Sequence, residues 1–77
     1  MKTLDEFVAL FAEQFEDTPA EEITASTEYH DLDEYSSLIA LSIIAMVDDE
    51  FDVTLKGDDI HNTKTVEDLY ALVVKKA

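Results

Sequence analysis

A chain of 77 residues with a formal net charge of −14 is a single domain with room for only a small core. Its five lysines and lack of arginine exclude nucleic acid and anionic membrane surfaces as natural partners. With 47% hydrophobic residues it belongs with folded chains, and zero cysteines exclude disulfides and any protein thiol chemistry.

Thr3 and Glu6 have the spacing of a capping box. Leu4, Phe7, Val8, Phe11 and Phe15 then share one helical face, which Asp17-Thr18-Pro19 brings to an end. Residues 20–35 show no sustained period. Ile23, Tyr29 and Leu32 punctuate a polar, acidic stretch, so a long ordered loop pinned at intervals is expected. Loops beyond about 12–15 residues are uncommon in small domains and tend to be functional.

A second helix is expected from Ser36 or Ser37 to about Phe51. Leu38, Leu41 and Ala45, followed by Asp48, define one edge. Ile43, Ile44, Met46, Val47 and Phe51 widen the apolar surface, which predicts a central helix covered on more than one side. Residues 51–55 alternate like a strand but have nothing to pair with, so an extended connection follows. Gly57 to His61 make one short helical turn. Thr65 with Asp68 caps the last helix, whose inner face is Val66, Leu69, Tyr70 and Val73. Lys75 and Lys76 sit at its negative end, where cations are favoured. One Gly and one Pro leave little material for hairpins. The expected fold is all-α, a small four-helix bundle over residues 1–77 with three main helices, one short one and a long first loop.

No cation lies between Lys2 and Lys56, although most of the nineteen acidic residues do. A partner must therefore supply positive charge. Within that stretch two serines open an apolar helix. A serine at such a place is ordinarily a cap. Two adjacent serines can divide the work, Ser36 capping and Ser37 keeping its hydroxyl free, where an attached phosphate would meet the positive end of the helix dipole.

Ser37-Leu38, the apolar helix that follows, its Asp48-Asp49-Glu50-Phe51 ending and the Thr65-Val66-Glu67-Asp68-Leu69 opening together resemble an acyl carrier protein. The length, the acidity and the Pro-marked first loop do so too. The resemblance implies a 4′-phosphopantetheine arm on Ser37, the serine of the family's Asp-Ser-Leu motif, with Ser36 as the second choice. A phosphopantetheinyl transferase would direct the Ser37 hydroxyl onto coenzyme A, and the arm's thiol would hold acyl groups as thioesters. Acyl-transfer and condensing enzymes of fatty acid, polyketide or related biosynthesis would dock their basic surfaces on Glu34, Leu38, Asp48, Asp49 and Glu50. Met46, Ile43, Ile44, Phe51, Tyr29 and Tyr70 could line an acyl pocket. The chain departs from the family where Ser36 replaces the Asp, and where Asp31-Leu32-Asp33-Glu34-Tyr35 lacks a Gly and carries one extra residue. These changes point to a specialised carrier. A D-alanyl or other aminoacyl carrier is the neighbouring reading, and an unmodified acidic interaction module is the reading from another class.

Asp31-Leu32-Asp33 invites comparison with a calcium loop, but Ser36 and Ser42 stand where that loop needs Gly and Glu. His30 and His61 belong to no spaced ligand set. No Ser/His/Asp order or Gly-rich phosphate loop appears, so a carrier without catalysis of its own is expected. No apolar run reaches ~18 residues, and the N-terminus lacks the order of a secretion signal. A soluble, cytoplasmic monomer is the expectation.

Overall fold

Four helices occupy the places the periodicity predicts. The computed structural model, described over residues 2–77, gives α1 (Leu4–Ala12), α2 (Ser37–Phe51), α3 (Gly57–His61) and α4 (Val66–Lys76). Two 3₁₀ turns, Ala20–Glu22 and Tyr29–Asp31, interrupt the first loop. Both predicted capping boxes form. Thr3 Oγ1 accepts from Glu6 N and Glu6 Oε1 from Thr3 N. Thr65 and Asp68 make the same reciprocal pair.

The first helix ends sooner than its apolar pattern. Gln14 N and Phe15 N bond back to Phe11 O and Ala12 O at 3.1 Å, a tightening into 3₁₀-type turns. Phe15 nevertheless remains buried. The core is aromatic along α1. Phe7 meets Phe51 edge-on at a centroid distance of 5.5 Å and Tyr70 at 5.4 Å, while Phe11 meets Phe15 at 5.6 Å and Tyr29 at 5.3 Å. Such pairs add about 0.5–1.5 kcal/mol to what burial alone supplies. Val66, Leu69 and Val73 of α4 close this core, and the Tyr70 hydroxyl donates to Lys2 O.

The long loop is ordered by hydrogen bonds at three points. The first-turn N–H groups of α4 would be orphans. Glu67 N instead donates to Ala25 O at 2.8 Å and Val66 N to Thr27 O at 3.2 Å, beside an isolated antiparallel bridge between Glu28 and Thr65. Next, the buried Tyr29 donates its hydroxyl to Ile60 O at 2.8 Å and bonds Thr63 Oγ1, so it ties the loop to the C-terminal end of α3. Finally, Glu34 anchors the loop to the turn after α1, described below. Ile23 and Tyr29 are buried and Leu32 half-buried, as expected of the loop's apolar points.

One expectation is corrected. α2 is not covered on more than one side: only Ile43, Met46 and Val47 are buried, while Leu38 and Leu41 are 72% and 62% exposed. The remaining elements suffice to cover one flank of a fifteen-residue helix. Its outer edge is left bare. The expected extended stretch begins later than residue 51: Phe51 still belongs to α2, and Asp52 caps it in the left-handed region (φ 56°, ψ 39°). In the connection that follows, Val53 and Leu55 are buried in the core while Thr54 is exposed.

Candidate functional site

The start of α2 shows how two serines share one helix terminus. Ser36 has extended backbone angles (φ −156°, ψ 174°), and its Oγ accepts from Ile39 N at 3.4 Å while its carbonyl accepts from Ala40 N at 2.9 Å. Ser37 is the first helical residue. It is exposed, and its hydroxyl makes no hydrogen bond among the described residues. The backbone N–H groups of Ser37 and Leu38 have no intrachain acceptor there either, so they lie open to an anion beside the Ser37 oxygen.

Ser37 also stands on the rim of a half-open cleft of about 430 Å³ between α2, α3 and the loop. Ala40, Leu41 and Ile44 of α2 and Ile60 of α3 give it an aliphatic side; His30, Tyr35 and His61 give it a polar one. Of the six residues considered from the sequence as acyl-pocket lining, only Ile44 is there. Tyr29 and Ile43 are fully buried in the core, Met46 lines a groove on the α1 side of α2, and Phe51 and Tyr70 pack on Phe7.

The two histidines were missed as a pair. Thirty-one positions apart in sequence, their rings come within 6.5 Å, and His30 stacks edge-on with Tyr35 at 5.0 Å. His30 Nε2 lies 3.0 Å from Ile60 O and 2.9 Å from Thr63 O. Both partners are carbonyls, so Nε2 carries the proton and donates. Tyr29 and His30 thus supply donors to Ile60 O, one of the C-terminal carbonyls of α3, and to Thr63 O just beyond it, while Thr63 Oγ1 serves Asp59 O. Only the fold brings these groups together; no local spacing signals it.

The five residues read as a docking surface separate into three kinds. Leu38 is bare, and Asp48 and Asp49 are exposed with no ion-pair partner among the described residues. Glu50 forms an exposed ion pair with Lys2 at 3.7 Å. Glu34 is committed internally: its carboxylate accepts from Glu16 N at 2.8 Å, Asp17 N at 3.0 Å and Thr18 Oγ1 at 2.8 Å. Desolvation opposes its charge, but the Thr18 hydroxyl and the backbone donors prevail and hold its pKa below the usual 4.5.

These features agree with the comparisons. A family profile described as a phosphopantetheine attachment site matches residues 5–73. The chain therefore belongs to the phosphopantetheine-binding family of acyl-carrier-type proteins. Neither the curated proteins nor the solved structures provide a match. As a member of that family the protein carries 4′-phosphopantetheine covalently, in a phosphopantetheine-carrier role. The start of α2 fits such a group, because it offers an unbonded, exposed hydroxyl, open N–H donors for a phosphodiester and an adjoining cleft. No described helix is long and apolar enough to cross a membrane.

Proposed function

We propose that Ser37 bears the arm and that the protein is a cytoplasmic, monomeric shuttle of acyl groups between enzymes of fatty acid, polyketide or related biosynthesis. It performs no catalysis itself. The observation that carries this reading is the division of labour at the start of α2: Ser36 spends its oxygen on the cap, and Ser37 keeps its own. When bound, the arm supplies a thiol that holds acyl groups as thioesters. The chain supplies the attachment oxygen, the helix terminus that favours the phosphate's charge, and a cleft beside it.

Partners of two kinds follow: a phosphopantetheinyl transferase, and acyl-transfer and condensing enzymes with basic surfaces. Leu38 and Leu41 offer a bare apolar edge, and Asp48 and Asp49 an unpaired acidic end. The acidic end has a physical signature of function. Asp48, Asp49 and Glu50 lie at the negative end of the α2 dipole, with no basic residue in the last turn. An anion there costs roughly 0.3–1 kcal/mol of fold stability at low ionic strength. The same crowding of negative charge strengthens the field that steers a cationic partner and speeds exchange between partners.

Intact mass after incubation with coenzyme A, magnesium and a broad-specificity transferase tests the assignment. The arm's mass should appear in the native chain and in Ser36→Ala, and be absent in Ser37→Ala. Loss confined to Ser36→Ala would place the arm on the other serine. No gain in the native chain would favour the unmodified interaction module.

A further inference from the structure

We infer that the cleft beside Ser37 selects a short acyl group bearing a hydroxyl or keto oxygen over a saturated chain of equal length. This rests on the assignment of the arm to Ser37. The cleft holds unused hydrogen-bonding capacity. His30 donates from Nε2 to two carbonyls, which leaves Nδ1 as an acceptor without an intrachain partner. The Tyr35 hydroxyl and the His61 ring likewise make no hydrogen bond among the described residues. All three side chains line the same cleft as Ser37, together with Ala40, Leu41, Ile44 and Ile60.

An occupant that lies against the aliphatic side also covers the polar one. A saturated chain would strip water from an imidazole nitrogen and a phenol and return nothing, and an unmade hydrogen bond costs more than a made one gains. A cargo oxygen repays that loss with Tyr35 or His61 as donor, or with His30 Nδ1 as acceptor from a hydroxyl. Size points the same way. About 430 Å³ lies near the lower end of the ~300–1,000 Å³ of ligand pockets, room for a short group. The cleft cannot deepen cheaply, because its lining residue Ile60 is packed core, the buried Tyr29 ring backs His30 and Tyr35, and α3 is held by Tyr29 and His30.

The test loads the full chain with stable amide-linked arms ending in butanoyl, 3-hydroxybutanoyl or alanyl groups. Intact mass, melting temperature and histidine ring resonances are then recorded, with the bare-thiol arm as baseline. The 3-hydroxybutanoyl form should melt highest, and its arm should shift the ring signals of His30 and His61. Tyr35→Phe combined with His61→Ala should at least halve its advantage over butanoyl, since only His30 Nδ1 then remains for the cargo hydroxyl, while leaving the mass gain unchanged. Equal or greater stabilisation by butanoyl or alanyl, or an advantage that the double substitution leaves undiminished, overturns the inference and leaves the Ser37 assignment standing. Absence of the mass gain overturns both. If the double variant does not fold, His61→Ala alone, at an exposed position, serves instead and should at least halve the melting difference; an undiminished difference overturns the inference.

Discussion

The two sides of α2 are built to different rules. Toward α1 and α4, Phe7, Phe11, Phe51 and Tyr70 interlock, and no buried side-chain polar atom among the described residues lacks a partner. Toward α3, a cleft stays open, Leu41 faces solvent, and side chains keep unspent hydrogen bonds. The contrast teaches where a carrier of this size places its stability. One flank holds the fold, which frees the other for the cofactor, cargo and partners proposed above. A core this small leaves little margin, since the chain buries only about 60% of its unfolded surface.

The sharpest way to break the contrast is to attack the packed flank. Phe7→Ala should cost about 3–5 kcal/mol and leave the chain largely unfolded by circular dichroism, whereas Leu41→Ala on the open flank should scarcely move the melt. Tyr29→Phe comes next. It removes a buried hydroxyl that serves Ile60 O and Thr63 Oγ1, and should cost about 1–3 kcal/mol by denaturant titration, with amide exchange quickening first in α3.

Glu34→Gln should lower the melting temperature at pH 7 by loosening residues 16–18 from the loop. The sign of its pH dependence follows from a depressed pKa: the stability it contributes is complete above its unfolded value and disappears as pH falls through the folded one. The gap between native and Glu34→Gln melts should therefore be widest near neutrality and close below pH 4.5. Comparing the two proteins removes the general relief of charge repulsion on acidification. The smallest effect has the opposite sign. Asp48→Asn with Asp49→Asn should raise the melt by relieving the dipole and the −14 charge, by about 0.3–1 kcal/mol per residue, while slowing association with a basic partner. Added magnesium should raise the native melt and shrink that gain.

Local chemistry was legible in advance. Thr3 with Glu6, Thr65 with Asp68, and the Ser36 cap are decided within three residues, and periodicity alone marks Phe7, Phe11, Val66 and Leu69 as core. What escaped reading acts at a distance. Glu34 reaches back 16 to 18 positions and Tyr29 and His30 forward by about thirty, so neither the loop's anchors nor the polar side of the cleft had a sequence signature. Hydropathy also overstated the cover on α2. Apolar residues all round a helix say that it can be surrounded, not that this chain has enough neighbours to surround it.

The bare run of α2 has one further consequence. No carboxylate interrupts the helix between Ser37 and Asp48, a span of eleven residues that, at 1.5 Å each, sets the proposed attachment point at Ser37 and the acidic end roughly 16 Å apart. A rigid rod of that length works as a ruler. If Ser37 bears the arm and Asp48 and Asp49 receive the partner, as proposed, an enzyme that serves this carrier must place its cationic landing pad one such interval from the point where the arm enters it, whatever cargo passes through.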